Sequence, residues 1–401
     1  MKRKEFIKLA STGALGVSSL GYLSCETQKE LFFKLSLAQW SLNKAIRGGE
    51  MDPYLFAEKS SELGFTGLEY VNQLYDDVMK SEDKSSAIKE FIKLVSTGAV
   101  GISSLGYFSC ASPKEIFFKL SLAQWSLNKS IREGGMSPYL FAEKSKELGF
   151  SGLEYVNQLY DDVMKSENKS DSIKKFISKN NQLATDNGVE NVLIMIDEEG
   201  DLANEDQEQR LKSIDNHKLW IDTAAEMNCS SVRLNLYGSK DVETWKALSI
   251  ESLSELGNHA KGTGLNVIVE NHGRITSNIP ELMNAINGVN MENVGTLPDF
   301  GNFCMADEGY GSVFDGTCET MYDFYQGVEE MMPKAFAVSA KSNDFDENGD
   351  EKTIDYMRML KIVKSFGYTG YVGVEYEGER LSEIEGIKAT RDLLIKVGQS
   401  I

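Results

Sequence analysis

Lys119-Leu-Ser-Leu-Ala-Gln-Trp-Ser-Leu127 is a short apolar run, and Pro138-Tyr-Leu-Phe-Ala-Glu-Lys-Ser-Lys-Glu-Leu148 follows it with apolar residues at helical spacing. Gly149 then supplies a left-handed cap, and Gly152-Leu-Glu-Tyr-Val-Asn-Gln158 opens a second apolar run. This reads as strand, helix, strand, the unit of a parallel sheet. The same rhythm continues to the end of the chain. Strands are predicted at Lys119–Leu127, Gly152–Gln158, Asn191–Ile196, Ser231–Leu236, Asn266–Glu270, Val294–Asp299, Ala335–Lys341 and Tyr371–Glu375. Helical patterns lie between them, at Pro138–Leu148, Asp206–Met227, Ile250–Thr263 and Thr353–Phe366. Eight strands with intervening helices over about 280 residues match a (β/α)8 TIM barrel, so the expected fold class is α/β of that type. A doubly wound open sheet is the alternative, but no predicted strand leads into a GxGxxG turn.

The stretch just quoted occurs twice. Residues 4–85 recur at 89–170 with an offset of 85, and 67 of the 82 positions are identical. Two copies of a strand–helix–strand segment plus six further strands would make ten, whereas such a barrel closes with eight. One copy is surplus. The second runs directly into the third strand, so using it costs no long loop closure. The expected organisation is an export signal at 1–25, a surplus segment at 26–88, a signal-like insertion at 89–118 and the barrel at 119–401.

The first residues resemble an address. Met1-Lys-Arg-Lys4 is a basic cluster, a Gly- and Ser-rich apolar run follows to Leu23, and Leu23-Ser24-Cys25 ends it. This layout predicts export, to the periplasm or to a lipid anchor at Cys25 on the cell envelope. A buried amphipathic helix is the alternative.

Composition removes other classes. The chain has 401 residues, 61 acidic and 42 basic, for a net charge of −19, so it repels phosphate backbones and a nucleic-acid partner is not expected. No apolar stretch is long enough to span a bilayer. Five cysteines without CxxC spacing form no zinc knuckle, and three histidines cannot build an imidazole-rich centre.

In a barrel of this kind the active site lies at the C-terminal ends of the strands. Four late strand ends carry polar groups: Val267-Ile-Val-Glu270-Asn-His272-Gly-Arg274, Gly295-Thr-Leu-Pro-Asp299-Phe-Gly-Asn302, Phe336-Ala-Val-Ser339-Ala-Lys341 and Val372-Gly-Val-Glu375-Tyr-Glu377. Glu270, Asp299 and Glu375 are each the first acid after an apolar run, so all three are expected at one mouth. Converging carboxylates repel unless a proton or cation holds them, which suggests a divalent metal. Two of them beside a polarised carbonyl suit proton transfer at the neighbouring carbon. Singly, an acid at a strand end is more commonly a helix cap or an ion-pair partner.

These phrases, with Leu35–Lys44 and its copy, resemble exported members of the sugar phosphate isomerase/epimerase family, the xylose-isomerase-like barrels, over residues 119–401. The resemblance implies a sugar or keto-sugar substrate, a divalent metal on Glu270, Asp299 and Glu375, and proton shuttling by Glu270 and Glu375 through an enediolate. It also implies a histidine two residues before a lysine on the seventh barrel strand. Here that position is Ser339, followed by Lys341. Three outcomes stay open: a metal held by oxygens alone, favouring Mg or Mn over Zn; His272 swinging in; or a lost metal. A lyase or dehydratase on the same acids, or a sugar-binding protein with a degraded site, are the other readings.

Remaining candidates are weaker. Trp125, Glu154, Asn157 and Gln158 lie near the first two strand ends, where a sugar could stack and hydrogen-bond; Glu154 could instead pair with Arg233. His272, Arg274, Asn302 and Lys341 are expected to contact substrate. His217 and His259 lie in helical patterns and are expected on the surface. Asp344 to Asp350 resembles the start of a calcium loop, with an ordinary Asn-Gly turn the stronger reading. Cys304 and Cys318 flank a Gly-rich loop and could form a disulfide after export.

Overall fold

The computed structural model describes residues 36–63, 67–81, 87, 91, 115–305 and 318–401. The expected export signal, Cys25 and the signal-like repeat around Cys110 lie outside the described residues. The chain divides into two units, residues 1–112 and 113–401.

In the first unit, strands β1 (Ser36–Ala38) and β2 (Gly67–Glu69) pair in parallel. Ile46, Leu74 and Tyr75 form a small core, with Tyr75 packed edge-on to Phe91 at 4.6 Å between ring centres. The Gln39 side chain ties the segment together, donating to the Pro53 carbonyl and Tyr75 hydroxyl and accepting from the Val71 amide.

The second unit holds eight parallel strands: β3 (Lys119–Ala123), β4 (Gly152–Val156), β5 (Glu190–Ile196), β6 (Ser231–Leu234), β7 (Asn266–Glu270), β8 (Val294–Leu297), β9 (Val338–Ser342) and β10 (Tyr371–Tyr376). Their order is β8-β7-β6-β5-β4-β3-β10-β9. Backbone contacts close the ring between β8 and β9: the Phe336 amide donates to Thr296, the Ser339 amide to Pro298 and the Phe300 amide to Ser339. The result is an α/β TIM barrel. Its β3 and β4 come from the second sequence copy, and pair in the register of β1 and β2 shifted by 85 residues, Ser121 opposite Gly152 where Ser36 faces Gly67. Gln124 repeats the clasp of Gln39, on Pro138, Tyr160 and Val156.

Most strand boundaries agree with the sequence reading to within a few residues. The largest departures are at chain ends of strands: β3 stops at Ala123 because Gln124–Leu127 turns into a 3-10 helix, and β9 starts only at Val338. The helix expected from Ile250 begins at Val242, capped by the Asp241 carboxylate on the Thr244 amide. Helices at Lys169–Asn187, Ile279–Val289, Phe324–Met331 and Glu383–Ser400 complete the outer ring. The last opens with a capping box between Ser382 and Glu385. Gly188 closes Lys169–Asn187 at φ 61°, a conformation that favours glycine.

Among the described residues no helix is long and apolar enough to cross a membrane. Asp344 to Asp350 is a tight turn rather than an ion loop: Asp346 caps the amides of Asn348 and Asp350, and Asp344 is ion-paired to Lys352 and Arg380. Cys304 and Cys318 form a disulfide.

Candidate active site

Each βα turn releases its strand-end side chain toward the same mouth, because in a parallel barrel all C-terminal ends face one way. β7 ends on Glu270, β10 carries Glu375, and Asp299 follows β8 by two residues. One carboxylate oxygen from each lies within 4.8 Å of the others, and all three residues are buried. Asn271 sets the spacing between two of these strand ends. Its amide donates to the carbonyls of Asp299 and Asn302, and its oxygen accepts from the Asp299 amide.

Cations and donors surround the acids. The Arg233 guanidinium, from β6, pairs with Glu270 and with Asp197, each at 2.8 Å. Lys341 lies 3.1 Å from Glu377 and 3.9 Å from Glu375, and donates to Asn302 at 3.0 Å. Asn302 in turn donates to Glu270 at 3.1 Å. Ser339 donates to Asp299 at 2.6 Å and lies 3.1 Å from Glu375.

Burial disfavours charge on the acids. It pushes Glu270 up to about 7, with Arg233 pulling the other way and Asp299 adding repulsion. Asp299 is raised by burial, against Lys341 and the Ser339 and Gly301 hydrogen bonds. Glu375 rises well above the ordinary range for the same cause, Lys341 opposing. Burial also works against the Lys341 ammonium, but Glu377, Asp299 and Glu375 hold its proton on. Asp197 goes the other way: burial raises it, and the Arg233 guanidinium outweighs that and holds it low.

A cavity of about 630 Å³ opens over this cluster. Glu375, Lys341, Asn302, His272 and Trp125 are on its wall, while Glu270 and Asp299 lie behind it. His272 does not turn into the carboxylates. Its Nδ1 contacts the Tyr237 hydroxyl, and burial with Arg233 and Lys341 nearby lowers it to about 3, so the ring is neutral. Trp125 stands at the wall with the Arg132 guanidinium 4.6 Å from its ring centre, and Arg132 is held by Gln158.

Other sequence candidates fall elsewhere. Glu154 is inside the barrel, bonded to Ser121, and is raised to about 7 by burial; Arg233 spends its ion pairs on Asp197 and Glu270 instead. Gly373 leaves the room that Glu154 fills, since a Cβ there would lie 2.4 Å from its carboxylate. Asn157 is fully buried and joins strand ends, donating to the Asp197 carbonyl and accepting the amides of Asp197 and Gln158. Arg274 is exposed and lines a smaller neighbouring crevice with Tyr237. His217, expected on the surface, is 2 % exposed and lines the main cavity, because the face of Gln207–Glu226 that carries it packs on the barrel. His259 does sit at the periphery, paired with Asp222. Asp197 was the acid missed by sequence reading, although it directly follows the apolar run of β5 and obeys the same strand-end rule.

The comparisons with known proteins agree with this architecture. The 3-keto-D-glucoside 4-epimerase of E. coli superposes with a TM-score of 0.52 at 13% identity, covering 69% of this chain and 98% of that one. A xylose isomerase-like TIM barrel protein of Mycobacterium smegmatis in complex with magnesium gives a TM-score of 0.50 at 17% identity, over 71% of this chain and 97% of that one. In sequence, 55 residues are 38% identical to the C-glycoside deglycosidase alpha subunit of Arthrobacter globiformis, 14% of this chain and 16% of that relative's length. The family model described as xylose isomerase-like TIM barrel matches residues 142–397. With eight parallel strands closed into a ring and that match spanning more than half its length, the chain belongs to the xylose isomerase-like TIM barrel family.

Proposed function

We propose that the chain is an epimerase or isomerase of a neutral keto-sugar, with a divalent cation held by Glu270, Asp299 and Glu375. The observation that carries this reading is the meeting of three buried carboxylates within 4.8 Å at one end of the barrel. Such a group needs positive charge, and its donors are all oxygen, with the Ser339 hydroxyl beside two of them. That set fits magnesium or manganese better than zinc, and structural neighbours with bound zinc and bound magnesium support a metal in this fold. A cation bound there would draw electrons from a substrate carbonyl and acidify the adjacent carbon.

The chain's own groups do the rest. Glu270 and Glu375 leave different strands, and one would remove the proton from carbon and the other return it. Asn302 orients Glu270, and Lys341 would steady the negative oxygen that develops. The keto-glucoside epimerase neighbour supports a keto-sugar. Charge argues against a phosphorylated one. Asp197, Glu198, Glu199, Asp201, Glu375 and Glu377 line the cavity, and of the bases on its wall Arg233 and Lys341 are already ion-paired. The disulfide between Cys304 and Cys318 supports the export that the N-terminal layout suggests, since such bonds persist in oxidising compartments.

A second reading, a sugar-binding protein without turnover, is favoured by Ser339, which occupies the position where the resemblance implies a histidine ligand. Elemental analysis of the purified protein after dialysis against magnesium, manganese and zinc separates the two. The enzyme reading expects about one divalent ion per barrel, lost in Asp299→Asn. No ion retained from any of the three would favour the binding protein.

A further inference from the structure

His217 lies on the cavity wall, and the chemistry above does not use it. It projects from Gln207–Glu226, the helix after β5, and is 2 % exposed. Its Nδ1 lies 2.7 Å from the Ser213 carbonyl, which can only accept, so Nδ1 carries the hydrogen. Nε2 then keeps its lone pair, and no hydrogen-bond partner for it occurs among the described residues. His217 is on the cavity wall, and Nε2 is not among the buried atoms left without a partner, so this acceptor is open to a donor in the cavity. The same wall carries Trp125, stacked with Arg132, whose Gln158 anchor reaches on to Asp197. An aromatic face and a lone acceptor are what a hydroxylated ring requires. The cavity, about 630 Å³, is also in the range that encloses a ligand larger than one sugar ring.

We propose that Trp125 and His217 form a second subsite, which takes a neutral hydroxylated ring attached through a glycosidic oxygen to the keto-sugar at Glu270 and Glu375. This rests on the epimerase reading for which ring reacts, but the subsite is detected by binding alone. Trp125 covers an apolar ring face, and His217 Nε2 accepts one hydroxyl of that ring. Burial lowers the His217 pKa, against the Ser213 carbonyl, Glu199 and Asp197, which favours the neutral ring.

The test is calorimetric titration of the full chain with three probes that share one glucosyl ring: glucose, phenyl β-D-glucopyranoside and cellobiose. Cellobiose is expected to bind at least tenfold more tightly than glucose. Trp125→Ala should weaken phenyl glucoside and cellobiose together. His217→Phe should weaken cellobiose at least fivefold more than phenyl glucoside, which offers no hydroxyl on its second ring, and His217→Gln should recover part of the loss. In the unaltered protein, whose three histidines make imidazole spectra simple, cellobiose should shift His217 Nε2 and phenyl glucoside should not. Equal affinity for glucose and cellobiose, no binding of any probe, or an Nε2 signal indifferent to cellobiose overturns the proposal. Loss of metal binding or of hydrogen exchange with the affinity difference intact would overturn the epimerase reading instead.

Discussion

Arg233 and Glu270 form an ion pair at 2.8 Å with both side chains almost completely buried. The pair links two neighbouring strand ends, and Asp197, just past the end of β5, shares the same guanidinium. Removing one partner of a buried pair strands the other's charge, which costs about 3–5 kcal/mol. Arg233→Leu should therefore lower unfolding free energy by roughly that amount, measured by denaturant titration. A loss smaller than about 1 kcal/mol, the range of surface pairs, would show that the pair does not hold the barrel mouth together.

Ser339→His tests the unusual ligand position. Adding an imidazole beside Asp299 and Glu375 converts an all-oxygen set into a mixed one, which zinc favours. Competition between zinc and magnesium is expected to shift toward zinc by tenfold or more relative to the parent. An unchanged preference would mean that residue 339 does not face the ion.

Glu154 gives a pH signature. Its folded pKa is raised to about 7 by burial, from an ordinary value of 4.5. Below about pH 4.5 the carboxyl is protonated folded or unfolded. Between 4.5 and 7 only the folded state keeps the proton, so stability falls as pH rises through that window. The full effect is on the order of 3 kcal/mol. Glu154→Gln should be the more stable protein at pH 8 and show no advantage at pH 4, read by thermal unfolding at both values. An advantage that is the same at both pH values would contradict the assignment.

The strand-end rule made much of this site legible before any coordinates. Glu270, Asp299 and Glu375 were identifiable because each is the first acid after an apolar run, and barrel topology makes such positions converge. What sequence did not reveal depends on distance across the ring. Arg233 sits next to the end of β6 and chooses Asp197 and Glu270 over Glu154 through the sheet's register, which no local pattern encodes. His217 was misjudged because helical periodicity alone does not say which stripe of Gln207–Glu226 meets the barrel. The strands at Ser36–Ala38 and Lys119–Ala123 come from near-identical segments, and their different settings follow from what comes next in the chain.

That last point is testable. We propose that the copy beginning near Lys119 is sufficient for the barrel. A chain starting at Pro113 should then fold with one cooperative transition and show the same divalent-ion binding as the full chain. Insolubility of that chain, together with a folded chain lacking residues 86–170, would assign the barrel to the first copy.

The central claim is that Glu270 and Glu375 move a proton at carbon. Methyl 3-keto-β-D-glucopyranoside, incubated in deuterated water with the protein and a divalent metal, should exchange a hydrogen on one of the two carbons beside its carbonyl. General acid–base catalysis contributes about 10²–10⁴-fold. Glu375→Gln is predicted to slow exchange at least a hundredfold, and Glu270→Gln with Glu375→Gln to abolish catalysed exchange. Exchange by the double variant at the parent rate would contradict the account.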